Sequence, residues 1–363
     1  MRVGIIGCGN ISGAYLKASK LFRVLDVVAV ADLDKERAQA KAQEFNLKAY
    51  GVSELLADDS LELVINLTIP TVHAEVSLAV LEAGKHVYSE KPLATSFKDG
   101  KAMLAKAEAK GLRVGCAPDT FLGGGLQSSR KLLDEGWIGQ PVTAVAFFAN
   151  HGPEAWHPNP DFFYEAGAGP LFDIGPYNLT AYVNFFGPIK EVLASSSIGT
   201  AYRTITSEAR YGQKIKVEVP SHINSILKFH SGLQATLMTS FDVWSHHLPY
   251  MEIYGTDGSL SSPDPNTFAG PLKLRRADAK EWQDVPLSHH YTSESRGIGA
   301  ADMVTAILKN RPHRASGQLA LHVLEAMEAI ISSAQEGRWV SLETRPERPQ
   351  ALPLGLLRGY LDD

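Results

Sequence analysis

A short apolar strand that runs straight into a glycine-spaced turn constrains this chain more than any other feature. Residues 3–6 lead into Gly7-Cys8-Gly9-Asn10-Ile11-Ser12, and a helical pattern follows over 11–20. The spacing is G-x-G-x-x-S. Gly7 permits the tight turn, and Gly9 lets a pyrophosphate approach the backbone. Ser12 is small enough for the helix to pack on the strand. With Asn10 and Ile11 between them, these residues present a helix N-terminus to phosphate oxygens. A methyltransferase or a purely structural turn can share the pattern. Asp32, 20 residues beyond Ser12 at the end of the next strand, favours a dinucleotide. A carboxylate there bonds both ribose hydroxyls of NAD and repels a 2′-phosphate. The competing reading is that Asp32 or Asp34 only caps the helix that follows.

The pattern continues as alternation. Apolar strands are expected at 2–6, 25–31, 63–67, 86–89 and 113–116, with helices at 11–20, 35–45, 74–82 and 97–110. Strands apolar on both faces and separated by helices make a parallel sheet between helical layers. After Phe121-Leu122-Gly123-Gly124-Gly125 the pattern changes. A helix at 126–135 precedes strands at 143–150, 214–219, 223–230, 234–241 and 251–255, several of them alternating apolar with polar. Ser231-Gly232 sits where a hairpin turn would. Helices at 300–309 and 318–336 follow, then a proline-rich tail after Glu343 that is expected to wrap the surface. The expected fold is α/β: an N-terminal dinucleotide-binding domain over 1–121, then an α+β domain with a mainly antiparallel open sheet over 122–363. The outer face of that sheet, with Ile226, Leu237 and Phe241 as its apolar members, is expected to pair copies into a homodimer or homotetramer.

Composition narrows the function classes. The 363 residues are 44% apolar and 21% charged, which excludes disorder as the main state. A net charge of −5 argues against nucleic acid. No apolar run reaches the ~18 residues of a membrane span. Cys8 and Cys116 are the only cysteines and lie far apart, so neither a disulfide framework nor a cysteine-rich zinc site is expected. The His246-His247 and His289-His290 neighbours would point to opposite faces of a strand, so no metal site is expected. The start of the chain lacks the pattern of a signal peptide, and the expected compartment is the cytoplasm.

Further motifs carry a resemblance. Gly84-Lys85-His86-Val87-Tyr88-Ser89-Glu90-Lys91-Pro92-Leu93 is similar to the GKHVxxEKP segment of the Gfo/Idh/MocA family of NAD(P)-dependent sugar and polyol oxidoreductases. Thr68-Ile69-Pro70 followed by His73, Asp134-Glu135-Gly136-Trp137-Ile138-Gly139, and Gly167-Ala168-Gly169-Pro170-Leu171-Phe172-Asp173-Ile174-Gly175-Pro176-Tyr177 extend it nearly end to end. The resemblance implies a Rossmann domain followed by an open sheet, with NAD as cofactor and a sugar, sugar derivative or cyclic polyol as substrate. It implies cofactor contacts at Thr68, Pro70, His73, Glu90 and Lys91, and a cis peptide at Pro92. It leaves room for two other functions on the same fold: a non-catalytic NAD-binding sensor, or redox-neutral cleavage of a glycoside.

Oxidation of an alcohol by NAD needs a base for the hydroxyl proton and a cation or donor for the developing alkoxide. In the resembled family the lysine of EKP shares these roles with the aspartate and histidine of D-x-G-x-H. Carried over, these are Lys91 and Asp173, but Tyr177 stands in the histidine position. A tyrosine starts near pKa ~10 and makes a poor base unless shifted; Lys91 beside it would lower it. The alternative base is His157, in Trp156-His157-Pro158-Asn159-Pro160, and after it His246 and His247. Asp119, in the loop after the last parallel strand, is a candidate for substrate hydroxyls or the nicotinamide ribose. Trp156 and Trp244 are candidates to stack on a sugar ring, though aromatic residues more often belong to a core.

Overall fold

The computed structural model describes residues 1–362. The chain begins β1 (Arg2–Ile6), α1 (Ser12–Leu21), β2 (Asp26–Ala31), α2 (Lys35–Phe45), β3 (Lys48–Tyr50), α3 (Val52–Ala57), β4 (Leu63–Asn66), α4 (His73–Glu82), β5 (His86–Ser89), α5 (Phe97–Ala109) and β6 (Val114–Cys116). The six strands form one sheet in the order β3-β2-β1-β4-β5-β6, and every neighbouring pair is parallel. Strand order reverses between β1 and β4. The crevice at the carboxyl ends of strands beside such a reversal is where ligands bind in sheets of this kind. The strands are apolar because both faces are covered; all four residues of β4 are buried. β3 and α3 are additions to the expected order, too short to leave a periodic signal in the sequence.

The second part contains α6 (Gly124–Asp134), β7 (Pro141–Ala149), α7 (Gly169–Phe186), β8 (Ile189–Ser197), β9 (Tyr202–Thr204), β10 (Lys214–Lys216), β11 (His222–Phe229), β12 (Gln234–Ser240), β13 (Met251–Gly255), β14 (Gly258–Ser262), β15 (Lys273–Arg276), β16 (Gln283–Asp284), α8 (Ile298–Leu308), α9 (Gly317–Glu336) and β17 (Val340–Ser341). Nine strands form a sheet in the order β16-β15-β14-β13-β7-β12-β11-β8-β17. Its pairs are antiparallel except β7 with β12. β11 and β12 form the hairpin expected at Ser231-Gly232, with Gly232 at φ 91°. β10 lies outside this sheet, in a two-stranded ribbon with β9 over a small separate core of Phe163, Tyr164, Ile205, Ile215, Val217 and Phe241. No helix among the described residues is long and apolar enough to cross a membrane.

α7 and α9 cover the inner face of the large sheet, and α9 also packs on α5 of the first domain. The strands divide near residue 121, but the later helices return. α8 lies on β6, and the Cys116 N–H donates to the Ala315 carbonyl at 3.1 Å. One continuous apolar core therefore runs through both parts.

The open face of the large sheet needs a correction. Leu237 and Phe241 are 1% and 2% exposed and point inward. Ile226 faces outward at 40% exposure, opposite Thr236 on β12 and Leu193 on β8. Side chains alternate between faces along a strand, so this register puts Met238 and Phe147, themselves paired, on the same outward face.

Candidate active site

The glycine turn is built as its spacing requires. Gly7 has φ 103°, and a Cβ there would lie 2.4 Å from the Leu67 carbonyl oxygen, so no larger residue fits. A Cβ on Gly9 would meet nothing within 4 Å, which leaves open space above the backbone for a pyrophosphate. No side chain caps the N-terminus of α1, so its amide dipoles face that space. Asp32 stands at the tip of β2, where its carboxylate accepts from Cys8 N at 2.7 Å and from Asp34 N at 2.9 Å. The cap of α2 is Asp34, which accepts from Glu36 N and Arg37 N. Asp32 is thereby left at the turn, and these residues fit a dinucleotide. The expected result for Asp32→Ala is a loss of NAD-over-NADP preference worth ~1–3 kcal/mol, the value of one charge-assisted contact. The ratio of kcat/KM for the two cofactors measures it, and a wild-type enzyme indifferent between them refutes the assignment.

The loops after β4, β5 and β6 converge beside this turn. Glu90 and Lys91 leave the end of β5, and the Lys91–Pro92 peptide is cis. Glu90 is fixed at both oxygens, by the Tyr15 hydroxyl at 2.8 Å and by Lys91 N at 2.9 Å. Lys91 crosses to α7, where Nζ donates to the Asp173 carbonyl at 2.6 Å and to Asp173 Oδ1 at 2.9 Å. Nζ also lies 5.4 Å from the centre of the Tyr177 ring. Asp173 and Tyr177 are four apart on one helix and so share a face. The structure thus brings Lys91, Asp173, Tyr177 and Glu90 together from two domains.

Electrostatics fixes the protons. Burial alone would push the Lys91 ammonium toward losing its proton, but the adjacent Asp173 carboxylate, Tyr177 and Glu90 outweigh it and hold its pKa above the usual range. Tyr177 runs against expectation. Its burial raises the phenol pKa, with Glu90 adding to the effect, and the opposing pull of Lys91 and Arg296 does not cancel it. Lys91 therefore does not lower the phenol below its ordinary value. Desolvation of the phenolate is the larger effect. Both groups keep their protons at neutral pH.

The remaining expected site residues lie in these loops or beyond them. Asp119 is 1% exposed and accepts from Gly297 N at 2.8 Å and Gly299 N at 2.9 Å, so it anchors the start of α8. His73 is 1% exposed. Its Nδ1 donates to the Pro92 carbonyl at 2.7 Å and its Nε2 lies 3.0 Å from the Thr68 carbonyl, so its ring ties two site loops together. Thr68 lies half-buried with its hydroxyl donating to Asn66 Oδ1 at 2.6 Å, and exposed Pro70 opens the next turn. His157 sits in an aromatic corner with Trp156, Phe162 and Phe163. Its Nδ1 accepts from Asn159 N at 3.1 Å, which leaves the proton of the neutral ring on Nε2, a donor rather than a base. His246 is used in its own turn, with Nδ1 accepting from Leu248 N and Nε2 donating to the Ala149 carbonyl. Trp156 is 66% exposed, and Trp244, 84% exposed, packs on His151.

One residue at the site escaped the sequence. Arg296, in the loop before α8, is near enough for its charge to act on the Tyr177 phenol, pulling its pKa down against burial. An arginine in Ser293-Glu294-Ser295-Arg296 reads as a surface charge, and nothing local distinguishes it.

Comparison with known proteins agrees with this architecture. Residues 1–117 match the profile described as "Oxidoreductase family, NAD-binding Rossmann fold", and residues 126–261 match the GFO/IDH/MocA C-terminal domain. A 1,5-anhydro-D-fructose reductase of Ensifer adhaerens is 26% identical over 94% of this chain and 99% of its own. A scyllo-inositol 2-dehydrogenase (NADP(+)) of Bacillus subtilis is 24% identical over 94% of this chain and 96% of its own. The solved structure of a levoglucosan dehydrogenase with NADH and L-sorbose superposes with a TM-score of 0.80 at 23% identity, over 95% of this chain and 99% of that one. With both of its domains matched in order and the EKP lysine seated against the second domain, the chain belongs to the Gfo/Idh/MocA family of NAD-binding oxidoreductases.

Proposed function

We propose that the protein interconverts a hydroxyl and a carbonyl on a sugar, sugar derivative or cyclic polyol, with Tyr177 and Lys91 at the reacting oxygen. The observation that carries this reading is Lys91 seated on Asp173 and 5.4 Å from the Tyr177 ring, at the carboxyl edge of the parallel sheet. The names of the reductase and inositol dehydrogenase relatives support the substrate class.

NAD, when bound, accepts or supplies the hydride. The rest is done by the chain. Asp173 fixes the ammonium of Lys91, which stabilises negative charge on the substrate oxygen. The Tyr177 hydroxyl gives its proton to that oxygen in reduction and must regain it afterwards. With both groups protonated at neutral pH, the site is set to donate. Reduction is therefore expected to be the faster direction near neutrality, with oxidation gaining as the pH rises toward the raised pKa of the phenol. Inositols, aldoses, anhydrosugars and glycosides assayed for NADH formation, with the matching ketones assayed for NADH consumption, test the reading. The expected result is stoichiometric cofactor turnover with at least one pair, the reductive direction faster at neutral pH. Product without net NADH change would instead mean redox-neutral cleavage. Binding of NAD with no turnover anywhere would mean a sensor.

The outward face around Ile226, Met238 and Phe147 fits a second copy of the chain better than water, supporting a homodimer or homotetramer. Sedimentation should find an oligomer that Ile226→Lys with Met238→Lys dissociates. A wild-type monomer at all concentrations refutes this. Cys8 and Cys116 are free and buried, which fits a reducing cytoplasm.

A further inference from the structure

Cations from three separate stretches of the chain meet around one cavity of about 1030 Å³ at the C-terminal end of α1. Lys17 and Lys20 come from α1, Arg23 from the loop after it, Lys309 from the end of α8 and Arg358 from the tail. The chain as a whole has 35 basic and 40 acidic residues, so this convergence departs from its average surface. Among the described residues, Lys17, Lys20, Arg23 and Arg358 have no carboxylate within ion-pair distance. Asp362, the carboxylate in the lining, lies 3.9 Å from Lys309, but Arg311 already donates to both of its oxygens, at 2.7 and 3.0 Å. A helix C-terminus favours nearby cations, which accounts for Lys20 and Lys309. It does not account for Arg23 and Arg358, which lie outside both helices. The wall made by the tail is pinned in place. The Tyr291 hydroxyl accepts from Gly359 N at 3.1 Å and donates to the Tyr360 carbonyl at 2.6 Å. Gly359 packs so closely on α1 that a Cβ there would lie 2.7 Å from the Leu21 carbonyl oxygen.

We propose that this cavity binds an organic polyphosphate, with its phosphates on Lys17, Lys20, Arg23 and Arg358 and its organic part against Leu308 and Tyr360. Like charges gathered around one space repel one another, and a multivalent anion relieves that repulsion at every cation it touches. Arginine forks match phosphate oxygens two at a time, and the lysines add point charges beside them. Four unpaired cations exceed what a single carboxylate can engage and suit a chain of phosphates. The cavity also keeps an apolar side. Leu308 and Tyr360 line it at 66% and 59% exposure, and a planar base can stack on the tyrosine ring. Its volume is at the upper end of the ~300–1,000 Å³ usual for small-molecule sites. The glycine turn that fits NAD is at the other end of α1, whose 10 residues put the two sites ~15 Å apart. The inference is therefore independent of the cofactor site and of the chemistry proposed for Tyr177.

The test is calorimetric titration of the full chain, saturated with NADH so that the glycine turn is filled, with ATP in buffer free of divalent metal. Saturable binding of one ATP per chain is expected, weakening ~10-fold or more as salt rises from low to several hundred millimolar. Tripolyphosphate, which carries the charge without the base, should bind severalfold more weakly. Lys20→Glu with Arg358→Glu places two anions in the cavity and should weaken ATP at least ~10-fold. Both side chains are exposed, so NADH affinity, read by fluorescence, should not change in this variant. The same reversal at Lys214 and Lys280, exposed cations outside the cavity, should leave ATP binding as it was. Arg23→Gln with Lys17→Gln, which removes charge without reversing it, should give a smaller loss. No saturable binding to the NADH-loaded protein overturns the proposal, as does ATP binding that NADH abolishes, because that ATP occupies the glycine turn. Equal losses from the cavity pair and the control pair also overturn it, since general surface charge would then be the cause. Tripolyphosphate binding as tightly as ATP overturns the assignment of an organic ligand.

Discussion

Lys91→Ala is expected to lower kcat by roughly 10³-fold while NADH binds within a few-fold of normal affinity. Three effects add in one direction. The ammonium that stabilises the substrate oxyanion disappears, and losing one such preorganised donor costs ~10²–10³. The Tyr177 phenol loses its strongest charge partner, so its already raised pKa climbs further and it becomes a weaker acid. Asp173, whose carboxylate and carbonyl both accept from Nζ, is left facing the crevice without a cation. A free carboxylate there repels the alkoxide it formerly helped to stabilise. Lys91→Arg should not rescue, since a planar fork cannot replace a compact charge that reaches two oxygens of one residue. Asp173→Asn should show a milder loss than either. A Lys91→Ala enzyme with normal turnover would place the chemistry elsewhere in the molecule.

How far the sequence carried this site depends on how local each signal was. The turn Gly7-Cys8-Gly9 was legible because its constraints lie within six residues of one strand and one helix, and Asp32 because a fixed βαβ unit sets its distance. Lys91 was legible from a motif. α7 was harder. Gly169, Pro170, Gly175 and Pro176 fall in its first half, and Pro176 is interior, where proline removes an N–H and usually ends a helix. Gly175–Phe186 is buried throughout, so no polar face marks a helical period. Only the four-residue step from Asp173 to Tyr177 hinted at it.

The misread residues fail for a different reason: their partners are remote. Leu237 and Ile226 both alternate correctly within their own strands. Which parity faces the core is decided by the β11–β12 register, where Ile226 meets Thr236 and so puts Leu237 on the other face. Asp119 sits at the carboxyl edge, where a ligand contact is the natural expectation, but α8 arrives from 178 residues away and claims its carboxylate. His73 lies in a loop expected to touch the cofactor, and its ring turns inward to tie the loops after β4 and β5 together. Arg296 is the same case reversed: a residue that looks solvated becomes part of the site only once the chain has folded back.

Tyr177→Phe is the prediction on which the proposed chemistry turns. The change removes one oxygen from a side chain that is 8% exposed and leaves its ring packing in place. Folding and NADH binding should hardly move. The hydroxyl, however, is the proton donor to the substrate oxygen, so kcat for reduction should fall by ~10²–10⁴. The pH profile distinguishes this from simple misplacement. In the wild type, reduction loses rate only in the alkaline range where the phenol, its pKa raised by burial, ionises, and oxidation gains over the same interval because the same group must accept the proton. Both limbs belong to one raised pKa, and both should vanish in Tyr177→Phe, leaving a low rate that depends on water or on Lys91. His157→Ala should leave kcat nearly unchanged, because its ring is engaged in an aromatic corner with Nδ1 accepting from Asn159. The opposite pattern, normal turnover without the phenol and loss without the imidazole, would move the proton to His157.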